Sequence, residues 1–179
     1  MSGRYRQRAF APGRSLLCRW EYVQGTEASP ALVLPDACVD LLWDGERLRI
    51  AGPDTRAQYA RIAPGRRISG LRFAPGAATR WLGVPLHVLA DQRVDLRDLG
   101  IPRLATLADR MTERDADAMA WLADRIQADT PPHSDAISAV HARLSRARPD
   151  TVTQLAHDLG ITERTLLRRC DEAFGYGPK

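Results

Sequence analysis

The sequence predicts an α+β protein: a small antiparallel β barrel or sandwich, then helices, then a C-terminal helix-turn-helix. Three observations predict it. Residues 1–76 are dense in Gly and Pro, with short apolar runs separated by turn signals at the spacing of small all-β domains. After Gly76 the apolar residues recur at three- and four-residue steps, the period of an amphipathic helix. Near the C terminus a glycine separates two short apolar-striped segments, and the second is studded with arginine.

The expected strands are 16–22, 31–34, 38–43, 48–51, 60–62 and 69–73. Val23-Gln24-Gly25, Asp44-Gly45, Gly52-Pro53-Asp54, Pro64-Gly65 and Pro75-Gly76 are the turn signals between them. Asp44-Gly45, between Leu41-Leu42-Trp43 and Leu48-Arg49-Ile50, is the strongest hairpin signal. Leu104, Leu107, Ala108 and Met111 mark one helix, and Ala118, Trp121, Leu122 and Ile126 a second. In 128–134 two adjacent prolines forbid helix, so this stretch reads as a linker. Ser134 or Asp135 can cap a further helix over 136–147.

The stretch from Thr151 to Gly175 carries the most chemistry. Val152, Leu155, Ala156 and Leu159 form one stripe of a short helix; Gly160 sits where a tight bend needs positive φ. Ile161 fills the corner, Thr162 is a good N-cap, Leu166, Cys170 and Phe174 give the next helix its buried face, and Gly175 ends it. Ala156 is small enough to let the two helices cross closely. In such a helix-turn-helix the second helix enters the DNA major groove by its N-terminal half. Its outward positions are Glu163, Arg164, Leu167, Arg168 and Asp171. Arg164 and Arg168 lie four apart on one face, and a guanidinium fork suits guanine O6 and N7 or a phosphate. A plain helical hairpin with solvated arginines is the bland alternative.

The run Leu155-Ala156, Leu159 to Arg164, Leu166 and Arg169, closing with 174–179, resembles the first helix-turn-helix of AraC-type transcription regulators. Upstream, 34–43, 51–55 and 70–78 resemble the N-terminal domain of an actinobacterial-like subgroup of the same family. The resemblance implies a cupin-like β sensor domain over 1–100, a helical dimerisation or cover segment over 101–128, a linker over 129–134 and a DNA-binding domain over 135–179. It also implies a second helix-turn-helix beyond Lys179, so the chain is expected to be truncated after the first and to bind its operator weakly in this form. A further departure is Cys170, where the family usually has an aromatic residue. The DNA-binding residues implied here are Thr162, Glu163, Arg164, Thr165, Leu167 and Arg168, the partners double-stranded DNA, a small-molecule effector and a second copy of the chain.

Composition narrows the classes. The 179 residues carry 26 Lys and Arg against 22 Asp and Glu, a net charge of +4. Lys179 is the sole lysine, so the basic excess also fits an arginine-biased coding sequence, and nucleic-acid binding has to rest on the motif. No apolar run is long enough to cross a membrane, and no apolar segment follows Arg4, Arg6 and Arg8 as a secretory signal requires. Three widely spaced cysteines, Cys18, Cys38 and Cys170, fit a reducing cytoplasm. His87, His133, His141 and His157 all fall outside the expected strands, so neither a metal nor any other cofactor is expected in the barrel. Cys38 lacks a strand histidine and Ser69 lies in no G-x-S-x-G elbow, so an enzyme is not expected.

An effector pocket is a separate expectation. Alternation puts Asp40 with Cys38 and Leu42 on one strand face, and Arg72 with Gly70 on another. Asp40 and Arg72 either hold a polar effector or pair with each other at the rim. Trp20, Tyr22 and Trp43 either line an apolar cavity with them or pack in the core, as does Trp81. The alternative function is a small-molecule-binding or interaction module without DNA binding of its own.

Overall fold

Alternation along the strands decides which face of the sheet is buried, and the helices cover that face. The computed structural model describes residues 3–26, 30–36, 38–114, 118–130, 135–148 and 150–177. Its strands are β1 (Arg4–Ala9), β2 (Leu16–Val23), β3 (Ala31–Val33), β4 (Asp40–Trp43), β5 (Leu48–Ala51), β6 (Gln58–Ala60), β7 (Arg67–Phe73) and β8 (Arg93–Asp95). Its helices are α1 (Ala77–Leu82), α2 (Pro102–Thr112), α3 (Ala118–Asp129), α4 (Asp135–Leu144), α5 (Val152–Asp158) and α6 (Glu163–Phe174). The fold is mixed α+β. Six strands form one antiparallel sheet in the order β1-β2-β7-β4-β5-β8, with β1 and β8 at its edges, and β3 pairs with β6 apart from it.

Leu16, Leu41, Ile50, Leu71 and Phe73 project from one sheet face into the main core. Trp81 and Leu82 of α1, Leu104 and Met111 of α2, and Leu122 and Ile126 of α3 close over them. Burying a side chain of this size contributes roughly 1.5–3 kcal/mol. The apolar stripes of α2 and α3 are therefore covered within one chain, apart from the partly buried Leu107 and Trp121, the latter beneath the Arg114 guanidinium at 4.1 Å. A second, smaller core holds α4, α5 and α6 together through Val140, Leu155, Ala156, Leu166, Cys170 and Phe174.

The Asp44-Gly45 hairpin forms as expected. Trp43 pairs with Leu48, Gly45 has φ 95°, and Asp44 Oδ1 accepts from the N–H groups of Glu46 and Arg47. The strand expected over 60–62 lies earlier, at Gln58–Ala60, where Ala31 pairs with Ala60. The strand expected from Cys38 begins at Asp40. Among the described residues two strands and one α-helix were not expected. β1 has no apolar face to mark it, β8 is three residues long, and α1 spans six residues between Gly76 and Gly83, both at positive φ. The expected linker at 129–134 begins inside α3, which runs to Asp129, and Thr130 is buried with its hydroxyl on the Ile126 carbonyl. Residues 131–134, including His133 and the Ser134 cap, lie outside the described residues, as do Ala37, Pro149, Pro178 and Lys179.

Candidate functional site

The bend between α5 and α6 follows from its sequence. Thr151 opens α5 with a capping box: its Oγ1 accepts from the Gln154 N–H at 3.2 Å, and the Gln154 side chain accepts from the Thr151 N–H at 3.1 Å. At the far end the Gly160 N–H donates to the His157 carbonyl and the Ile161 N–H to the Ala156 carbonyl, both at 3.0 Å. This is the Schellman pattern, whose first residue past the helix must be left-handed, and Gly160 has φ 63°. Ile161 packs into the smaller core. Thr162 then caps α6, its Oγ1 accepting from the Thr165 N–H at 3.2 Å.

One side of α6 is buried through Leu166, Cys170, Ala173 and Phe174, while Glu163, Arg164, Leu167 and Arg168 are exposed. Burial pushes the Cys170 thiol up to about 11, so it acts as an apolar filler. Glu163 is tied back to α5, accepting from the Thr153 hydroxyl at 2.7 Å. Arg168 reaches Glu172 at 3.2 Å, one turn along the same helix. Arg164 makes no such pair among the described residues, and Thr165 is half-buried beside the cap. Asp171, expected to point outward, faces His87 Nδ1 at 3.3 Å. The exposed stripe thus ends where α6 meets the sheet-bearing part of the chain.

That meeting is close-packed. The Thr79 hydroxyl of α1 donates to the Glu172 carbonyl at 3.0 Å. A Cβ on Gly175 would stand 2.3 Å from Pro53 and 3.3 Å from the Leu86 carbonyl oxygen. Burial, and after it the nearby Asp36 carboxylate, raise the Tyr176 phenol above its ordinary value, so the C-terminal turn also lies near Asp36.

The sheet face away from the main core carries the polar cluster. Arg72 Nε and Nη2 donate to the two oxygens of Asp40 at 3.1 and 2.9 Å, and Nη1 lies 3.1 Å from Asp36. Trp20 Nε1 donates to Asp40 Oδ1 at 3.3 Å, and the indole lies over Gly70, where a Cβ would come within 2.1 Å of it. The hydrogen bonds to Asp40 raise the Arg72 guanidinium well above its ordinary value, so it stays charged throughout. With two carboxylates around one guanidinium the cluster is net negative and its forks are engaged. Burial pushes the neighbouring Cys38 thiol up to about 12, against the pull of Arg72, which removes it as a nucleophile.

Trp20, Tyr22, Asp40 and Arg72 therefore share one sheet face, as strand alternation implies. Trp43 does not join them. It lies on the opposite face, beside a cleft lined by Arg66 and Met119, and Trp81 is a core residue. Asp36 was missed as a third arm of the cluster, although it keeps step with Cys38 and Asp40 two residues at a time. No grouping of His, Cys, Asp and Glu suited to a metal ion occurs among the described residues, and no helix among them is long and apolar enough to cross a membrane.

Residues 14–95 match a family described as a domain of unknown function (DUF6597). The match takes in β2 to β8 and stops short of α2 to α6. No curated protein and no solved structure matches the chain.

Proposed function

We propose that the chain is a sequence-specific DNA-binding transcription regulator of AraC type, acting in the cytoplasm as a homodimer. In this reading α5 and α6 are a helix-turn-helix, and the sheet belongs to a cupin-like sensor whose Trp20, Tyr22, Asp40 and Arg72 face takes an effector. The observation that supports it best is the presentation of α6. A glycine bend with both Schellman hydrogen bonds holds a capped helix whose first two turns bury Leu166 and expose Arg164, Leu167 and Arg168.

The chemistry follows from that presentation. Arg164 is free to fork onto guanine O6 and N7 or a phosphate, and Leu167 can meet a thymine methyl. Arg168 exchanges Glu172 for a phosphate or base edge, and Thr162 and Thr165 sit where a helix N-terminus meets the backbone. Two copies place their α6 helices on half-sites about one helical turn apart. An effector on the polar face acts through the contacts that α6 makes with Thr79, His87 and Pro53.

Selection from a random duplex pool, followed by titration of the selected site, tests the reading. Arg164→Ala combined with Arg168→Ala is expected to weaken specific binding at least about tenfold, since a good arginine–guanine fork is worth about 1–3 kcal/mol. Undiminished binding by that variant, with its circular dichroism unchanged, would falsify the assignment. A second reading, an effector-binding or interaction module without DNA binding of its own, draws on the engagement of Asp171 and Glu172 with the sheet-bearing part. An empty selection favours it.

A further inference from the structure

We propose that the exposed edge strand β1 is a second docking surface for duplex DNA, gripping the phosphate backbone without reading sequence. The choice of DNA as the polyanion rests on the function proposed above; the surface itself rests on strand register. Every residue of β1 is exposed, and its sequence, Arg-Tyr-Arg-Gln-Arg-Ala, alternates. Alternation puts Arg4, Arg6 and Arg8 on one face, about 7 Å apart along the strand.

The register extends the row onto β2 and β7. Arg8 pairs with Arg19, Arg6 with Glu21 and Arg4 with Val23, while Val23 pairs in turn with Arg67. Glu21 is the only carboxylate at these paired positions, and Arg67 already holds it at 3.0 Å. Arg4, Arg6, Arg8 and Arg19 enter no ion pair among the described residues. The same face continues into an open cleft of about 400 Å³, lined by Arg66 and Arg67 together with Glu21 and Asp44, so the unpaired charge of the surface lies on the β1 row and Arg19.

A backbone polyanion fits this surface better than a lipid surface does. Guanidinium forks match phosphate oxygens two at a time. Membrane docking also needs apolar side chains beside the charges, and the one large apolar residue of β1, Tyr5, points to the other face beside Trp20. Charge on an edge strand also discourages strand-to-strand aggregation, a role that needs no ligand, so the test must read binding.

Fluorescence anisotropy with a labelled duplex of arbitrary sequence, titrated between about 50 and 200 mM salt, reads the number of phosphates engaged. The triple variant Arg4→Gln, Arg6→Gln, Arg8→Gln is expected to lower the salt slope by about two to three, and each single variant by about one. The single variants keep the test open should the triple variant fold poorly. An unchanged slope overturns the inference, and so does a variant that loses binding to phosphatidylserine vesicles but none to DNA. The paired Arg164→Ala, Arg168→Ala variant separates the two readings. It is expected to lose preference for the selected site, while its arbitrary-duplex slope still falls by a further two to three, roughly, when Arg4, Arg6 and Arg8 are replaced in the same chain. If sequence preference survives in that variant, the helix reading falls and the strand reading stands. If the triple variant keeps its slope while the paired variant loses specificity, the reverse holds. If the unaltered chain binds no duplex at low salt, both fall.

Discussion

Gly160 shows what one residue decides. Its φ of 63° places the Ile161 N–H on the Ala156 carbonyl, and nothing lies within 4 Å of where a Cβ would stand. Space is therefore no obstacle to a side chain, and only the backbone conformation is. Gly160→Ala is expected to cost about 1–2 kcal/mol, the penalty of a left-handed L-residue, seen as a lower urea midpoint with an unchanged slope. A loss below about half a kcal/mol would mean that the bend does not depend on that conformation. At this scale the sequence is legible wherever the deciding interaction is local. Gly160, the Thr162 cap and the shared face of Asp40 and Arg72 all follow from positions a few residues apart or from strand parity. Asp36 on Arg72 and Asp171 on His87 are not legible, because each needs two segments brought together by tertiary packing.

Among the elements, legibility follows periodicity. α2 and α3 bury a clear stripe and stand where it predicts, whereas α1 and β8 are too short to establish a period and β1 presents arginines where a half-buried strand presents apolar residues. α4, α5 and α6 form a unit with a core of its own, and His141 lies at its edge with its ring centroid 5.7 Å from that of Phe174. Burial holds the His141 imidazole below its ordinary value of 6.5. The unfolded chain thus takes up a proton near pH 6.5 while the folded unit resists it, so stability is full above that pH and declines as pH falls toward the folded value. The urea midpoint of the unaltered chain is expected to drop between about pH 7.5 and 5.5, with a flatter profile for His141→Gln. Parallel profiles would remove His141 as the source.

At the scale of the whole molecule, what matters is whether the α4–α6 unit is fastened to the sheet-bearing part or merely beside it. Contacts among the described residues fasten it, including Asp171 with His87, Thr79 with the Glu172 carbonyl, Ile137 against Gly76, and Gly175 against Pro53 and Leu86. Gly175 and Gly160 make a controlled pair. Both cap a helix at positive φ, 84° and 63°, so alanine carries a comparable backbone penalty at each. Around Gly160 there is open space, but at Gly175 the new methyl would stand 2.3 Å from Pro53. The excess cost of Gly175→Ala over Gly160→Ala therefore reports the junction and not the turn. That excess is expected to be about 1–3 kcal/mol, the usual cost of overpacking a well-filled contact. Hydrogen exchange should show where it is spent, with faster exchange at the C-terminal half of α6 and unchanged exchange on β4 and β7. Equal costs for the two substitutions would mean that α6 sits on the sheet-bearing part too loosely for an effector there to move it.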